Sequence, residues 1–364
     1  MKPLNTKILL IILLGIGIPV FAQEITWYNG SDFPVEGRAW ENRSQPYNRL
    51  PVSAETVVRP EVWRLGQNSA GLTLSFTTDS PEIQLRWKAR FNNHMPHMTD
   101  LGIKGFDLYC WSEKDQEWRW AGSAKGWNDG PNFKAKVVTQ MDRAPKFFRL
   151  YLPLYDAPDS LEIGVVSGAT IRPYLHQYKI AKPIVFYGTS ITQGGCASRP
   201  GLAYPAIIGR DLDAETINLG FSGNGNLELT LANLLAEIDA ACFVLDCLPN
   251  MTPEMVAGRV VPFVSILRKA HPATPIILVS ATEFANAWLS DSTRILLDQK
   301  NANLLAAYEI LQKTQKSPLY LIRPKALKFP DNEGTVDGVH LNDLGFVRIV
   351  DCLTPTIKKA LKIR

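Results

Sequence analysis

Near residue 180 the sequence changes its grammar, and this change limits the possible folds more than any other feature. Before it, short alternating or β-rich runs follow one another at 72–76, 83–87, 105–111, 118–121, 147–151 and 161–166. Loops rich in Pro, Gly, Asn and Asp separate them, and no sustained helical periodicity interrupts residues 23–178. Several short strands at this spacing predict an all-β sandwich. After residue 180, apolar strands alternate with helical patterns. Leu227, Leu231, Leu234, Leu235 and Ile238 recur on one face of a helix. Thr252 as N-cap and Pro253 at the first position open a helix over 253–270. Further helices are expected at 202–212, 292–315 and after Asn342, with strands at 276–279 and 319–322. Such alternation predicts a parallel sheet covered by helices on both faces. The boundary falls at 178–183, which gives a sandwich domain over residues 23–178 and an α/β domain over 179–364. A chain of 364 residues suits two domains of about 100–200 residues each.

Residues 1–22 read as a secretory signal peptide. Lys2 and Lys7 form a charged start, residues 8–20 an apolar run, and Val20-Phe21-Ala22 a small-residue cleavage site. The run is shorter than the roughly 20 residues that span a bilayer, so cleavage after Ala22 is preferred over an anchor. The protein is then expected to be exported, periplasmic or extracellular, with no stable membrane insertion. The formal charge of +4 drops to +2 without these residues, and no basic stripe marks a nucleic-acid footprint. Hydrophobic residues at 46% and charged ones at 20% fit a globular core and exclude wholesale disorder. Cys110, Cys196, Cys242, Cys247 and Cys352 are too few and odd in number for a disulfide scaffold. On one strand, Cys242 and Cys247 would lie about 16 Å apart, too far to bridge. Buried thiols are expected, and nothing near Cys196 in the sequence stabilises a thiolate for catalysis.

Within the second half, Ile184, Val185, Phe186 and Tyr187 form an apolar run that Gly188 ends, and Ser190 stands at its mouth. Ligands in open α/β sheets bind at the carboxyl ends of strands, so this hydroxyl is placed for chemistry. The plainer reading is that Ser190 caps the next helix. The stretch lacks the lysine of a phosphate-binding loop, and the glycines of 220–225 stand in the wrong order for a dinucleotide fingerprint. Thr192 stands where a nucleophile elbow carries glycine. Nucleotide cofactors are therefore not implied.

Three later blocks join Ser190. Gly220 ends the apolar run TINLG, Asn250 follows the run CFVLDC, and Asp337-Gly-Val-His340 precedes the last helix. Ser190, Gly220, Asn250 and Asp337/His340, each at a strand end or in a loop, resemble the SGNH/GDSL hydrolase superfamily from about residue 182 onward. The resemblance implies an SGNH-type three-layer α/β/α domain and a serine esterase. Ser190 would be the nucleophile, His340 the base, Asp337 its orienting acid, and the N–H groups of Ser190 and Gly220 with the Asn250 amide the oxyanion hole. Thr189 stands where the family has Asp, which keeps the nucleophile and removes a neighbouring carboxylate. His271, at a helix end before Pro272, is explained by the helix dipole.

Residues 94–109 (HMPHMTDLGIKGFDLY) resemble the GxDLY sandwich module, jelly-roll-like, that precedes some bacterial SGNH hydrolase domains. His94 and His97 are read as loop residues, not metal ligands, because no further ligand cluster is visible. The resemblance also permits their loop to fold over the hydrolase cleft. Trp111, Trp118, Trp120 and Trp127 could stack on sugars, although core and cross-strand pairing is the commoner use. The two-domain resemblance makes O-acetyl groups on carbohydrate the expected substrate. A lipid or lysophospholipid esterase and a carbohydrate-binding protein with an inactive hydrolase domain are the alternatives. Segments 281–291, with Trp288, and 199–204 are candidates for shaping the pocket.

Overall fold

The computed structural model describes residues 23–126, 130–327 and 331–363. The expected signal peptide and Trp127 lie outside them. Among the described residues no helix is long and apolar enough to cross a membrane.

In the second half, five parallel strands form one sheet. Their order is Ala214–Gly220, Ile180–Gly188, Cys242–Asp246, Ile276–Val279 and Leu319–Ile322. The strand order reverses beside Ile180–Gly188, the position at which such sheets open a crevice at their carboxyl ends. Alternation along the strands assigns side chains to the two faces. Val185, Tyr187, Phe243 and Leu245 pack with helices Leu229–Leu235, Pro253–Ala270 and Asp291–Thr314. Ile184, Phe186, Cys242 and Val244 pack with helices Tyr204–Leu212 and Asp343–Leu361 on the other face. The result is three layers, helix on sheet on helix, as expected.

The helical face at 227–238 is buried throughout, but only Leu229–Leu235 is helical. Leu227 adopts φ +50 and Glu228 is extended, so the turn before the helix, not a longer helix, buries the first leucine.

In the first half, two antiparallel sheets pack face to face. One runs Ile25–Asn29, Pro158–Val166, Ile83–Ala89, Asn132–Val138. The other contains Thr73–Thr78, Lys146–Tyr151, Phe106–Ser112 and Glu117–Ala124, with two short strands at its edge. Leu74, Phe76, Leu85, Trp87, Phe148 and Ile163 fill the space between them. Two strands, Ile25–Asn29 and Asn132–Val138, and the short helices Pro60–Gly66 and Asp100–Lys104 were not legible in the sequence.

Antiparallel pairing gives way to parallel pairing between Pro173 and Ile180, yet packing crosses that point. Leu50, Ala54, Val62 and Leu65 join the core on one face of the parallel sheet, and Met98, Ile103 and Leu154 join that on the other. The GxDLY residues make the grip specific. Asp107, fully buried, accepts from Arg199 Nη1 and the N–H of Gly201, while Tyr109 Oη meets the same guanidinium at 2.8 Å. Segment 199–204 is thus held by the sandwich.

All five cysteines are free; Cys196, Cys242 and Cys247 are buried, and Cys110 and Cys352 partly so. Trp118 is buried and Trp111 pairs with it edge-on, whereas Trp120 stays half exposed while its indole donates to Asp107 at 2.9 Å. His271 is the C-cap residue of its helix, and its Nε2 lies 2.9 Å from the Ala236 carbonyl.

Candidate active site

Strand Ile180–Gly188 delivers the chain to the crevice, and the residue that caps the following helix is Thr189. Its hydroxyl accepts from the N–H of Ile191 at 3.2 Å. Ser190 is the first helical residue, so its side chain is released from capping. Its Oγ instead lies 2.9 Å from His340 Nε2. Its carbonyl accepts from the N–H groups of Gly194 and Gly195 at 3.0 and 2.9 Å, which fixes the turn.

His340 reaches Ser190 from a turn pinned on both sides. Thr335 and Leu341 form an antiparallel bridge, the N–H of Cys196 donates to Leu341 O, and Ala285 donates to Gly338 O. Gly338 sits at φ +92, a left-handed conformation that a side chain would strain. This lets Asp337 curl back: Oδ1 accepts from the N–H groups of Val339 and His340, and Oδ2 lies 2.7 Å from His340 Nδ1. Burial opposes the charge on Asp337, but those hydrogen bonds outweigh it and hold the carboxyl down at about 2. An ionised carboxylate only accepts, so Nδ1 carries the proton and Nε2 is left to accept from the Ser190 hydroxyl.

Asn250 follows the third strand. Its Oδ1 accepts from the N–H of Gly225 at 3.3 Å, and its side-chain NH₂ makes no hydrogen bond among the described residues. Gly220 departs from expectation. Its N–H donates to Asn218 Oδ1 at 2.9 Å and is therefore not free to stabilise an oxyanion. Its lack of a side chain has another cause: a Cβ there would stand 2.1 Å from the backbone N of Gln193. The glycine lets two loops meet. Gly223, three residues on, stands at φ +69 in open space, and its N–H makes no hydrogen bond among the described residues. Sequence reading missed it because three glycines fall within GFSGNG and only the fold shows which two amides are taken.

Two residues of the first half support these loops unexpectedly. Arg49, fully buried, donates to the carbonyls of Leu65, Asn68, Asn218 and Gly220. Asn68 Oδ1 accepts from Gln193 Nε2, while Gln193 Oε1 takes the N–H of Ser222 at 3.0 Å. Beneath the first turn lies Asp246, whose carboxyl meets Tyr204 Oη at 3.1 Å and Thr192 Oγ1 at 3.4 Å, with no cation beside it among the described residues. Burial pushes it up to about 6.

The loop after strand Ile83–Ala89 does fold over the cleft. His97 places its ring 5.6 Å from that of His340, while His94 turns away to Asp100 Oδ1 at 2.7 Å. The two histidines of HxxH therefore do not act together. Segment 281–291 abuts the histidine turn through Ala285, and Trp288 and Leu289 stay largely exposed.

Residues 181–358 match the model of the GDSL-like lipase/acylhydrolase family, and residues 25–171 match that of the N-terminus of SGNH-hydrolase-type esterases. A solved structure described as a GDSL-like lipase from Bacteroides ovatus is 39% identical over 94% of this chain and 99% of its own, with a TM-score of 0.89. The chain belongs to the GDSL-like lipase/acylhydrolase family. As a GDSL-like protein it is a carboxylic ester hydrolase, and its two-part architecture is that of the whole relative. The salicylyl-acyltransferase SsfX3 of a tetracycline biosynthetic pathway shares the fold at 18% identity, over 93% of this chain and 99% of its own, TM-score 0.72. So does a family two carbohydrate esterase from Clostridium thermocellum solved with cellohexaose, at 12% identity over 80% and 93%, TM-score 0.57. No curated protein matches the chain.

Proposed function

We propose that this GDSL-like hydrolase is an exported serine esterase that removes O-acetyl groups from carbohydrate through an acyl-enzyme. The observation that carries the mechanism is the Asp337–His340–Ser190 chain, at 2.7 and 2.9 Å. Ser190 Oγ attacks the ester carbonyl as its proton passes to His340 Nε2, and Asp337 stabilises the resulting imidazolium. His340 then protonates the leaving alcohol. Water, deprotonated by the same nitrogen, releases the acid and regenerates Ser190. The Ser190 N–H, at the helix start, and the Asn250 NH₂ serve the oxyanion, with the Gly223 N–H in place of the engaged Gly220 amide. None of these steps requires a metal or organic cofactor. Intact Ser190, His340 and Asp337 weigh against a purely carbohydrate-binding role.

The sugar substrate is supported by the fold shared with carbohydrate esterases, among them an acetyl xylan esterase from Butyrivibrio proteoclasticus with 12% identity and a TM-score of 0.53. A lipid or lysophospholipid ester is the second reading, and exposed Trp288 and Leu289, in the segment that meets the histidine turn through Ala285, favour it. A panel of acetylated polysaccharides assayed beside aryl esters of increasing chain length separates them. Release of acetate from polysaccharide, with rates falling beyond short acyl chains, is expected. Preference for long chains with no polysaccharide deacetylation contradicts the sugar reading.

A further inference from the structure

His97, Cys196 and His340 each bring a ligand atom to within 4.8 Å of the other two. They come from three separate parts of the chain, and the segments that carry them are tied to one another. Cys196 is tied to the histidine turn, since its N–H donates to the carbonyl of Leu341 at 2.9 Å. The turn that carries His97 is tied to the Cys196 loop, because Thr99 Oγ1 donates to Ser198 O at 2.6 Å. Where Gly102 follows, a Cβ would stand 2.4 Å from Ala197 O, so the two segments touch backbone to backbone. The imidazole of His97 makes no hydrogen bond among the described residues, which leaves both of its nitrogens available.

We propose that these three side chains bind a zinc-type divalent cation, and that its arrival switches the hydrolase off. Two imidazole nitrogens and one thiolate, with a fourth position open to water, form a donor set that suits zinc. In a tetrahedral site with Zn–N of about 2.0–2.1 Å and Zn–S of about 2.3 Å, neighbouring ligand atoms stand roughly 3.3–3.7 Å apart. Rotation of the unbonded His97 ring is the motion that closes the remaining gap. Coordination forms a Zn–S bond as the Cys196 thiol releases its proton to solvent. On His340 the only nitrogen on offer is Nε2, because Nδ1 faces Asp337. A carboxylate on the far nitrogen of a ligating histidine is the usual outer partner of such sites, so Asp337 serves the cation without moving. The lone pair that takes the Ser190 proton would then be held by the metal. Binding follows from the donor set alone; the loss of activity rests on the reading of His340 as the base.

Isothermal titration of the intact metal-free protein with zinc chloride is expected to show one site per chain, and Ser190→Ala to retain it. His97→Ala and Cys196→Ser should each weaken binding by at least about tenfold, the loss typical of removing even an outer partner. Cobalt(II) in place of zinc should give a thiolate-to-metal absorption band that Cys196→Ser abolishes. Aryl acetate hydrolysis should fall with the same zinc dependence, recover with chelator, and resist zinc in His97→Ala relative to that variant's own metal-free rate. If Cys196→Ser does not fold, His97→Ala on its surface turn carries the test. No binding to the wild type, or binding unchanged in His97→Ala, overturns the proposal. Zinc binding as described in a metal-free protein that hydrolyses no ester would uphold the site and refute the esterase reading instead.

Discussion

The guanidinium of Arg49 donates to the carbonyl of Gly220 at 2.7 Å, across 171 positions of sequence. A residue of the first half thereby fixes the root of the loop that faces the nucleophile. Burial lowers its pKa to about 9, and it still carries its charge at neutral pH. Its ligands are four backbone carbonyls and the face of Phe221, with no carboxylate among them. Arg49 is thus a peg between the two halves.

Arg49→Ala is expected to leave buried carbonyls without donors and to cost on the order of 3 kcal/mol or more. Arg49→Lys should recover little, since an ammonium cannot span four acceptors set in a plane-like fork. Chemical denaturation of both variants checks this. A loss below about 1 kcal/mol in Arg49→Ala would show that the peg is dispensable.

Gly220→Ala should damage the fold, not only turnover, because its Cβ meets backbone of Gln193 that cannot swing aside. Overpacking of this kind costs about 1–3 kcal/mol. A variant of unchanged stability would show that the two loops can part to admit a side chain.

Asn250→Ala should act in the opposite sense. Turnover on an aryl acetate is expected to fall about 10²- to 10³-fold, as for loss of one oxyanion donor. Any change in stability should stay near the 1 kcal/mol of a local hydrogen bond. Steady-state kinetics beside a thermal melt separates the two effects.

Asp246 predicts a pH-dependent stability. Its folded pKa, about 6, lies above the ordinary 3.8, so the native state holds the proton more tightly. Wild-type stability should therefore decline as pH rises from about 4 through 6, and the penalty is complete above that. Asp246→Asn, which keeps the shape without the charge, should match the wild type near pH 4 and exceed it by up to about 3 kcal/mol at pH 7. Unfolding curves of the two proteins that stay parallel across this range would refute the assignment.

The parallel sheet was legible because its strands are buried on both faces, and hydrophobic runs between amphipathic helices leave few other arrangements. Ser190, Asn250, Asp337 and His340 were legible as candidates because four separated blocks stand in the order that resembles the family, each after a strand or before a helix. The role of Gly220 was not, since which of three glycine amides is left over depends on the Asn218 and Asn250 side chains. Arg49 was invisible as well. An arginine in a polar loop gives no sign that distant carbonyls enclose it. The reach of His97 is legible only as one option, because the family resemblance permits closure of this loop without specifying which histidine turns inward.

The central claim is that His340 makes Ser190 a nucleophile. Incubating the protein with a fluorophosphonate and locating the adduct by peptide mass spectrometry tests it directly. Stoichiometric labelling of Ser190 in the wild type, lost in Ser190→Ala and slowed at least about 10³-fold in His340→Ala with folding retained, is the expected result. Labelling at another residue, or equal rates with and without His340, would contradict it.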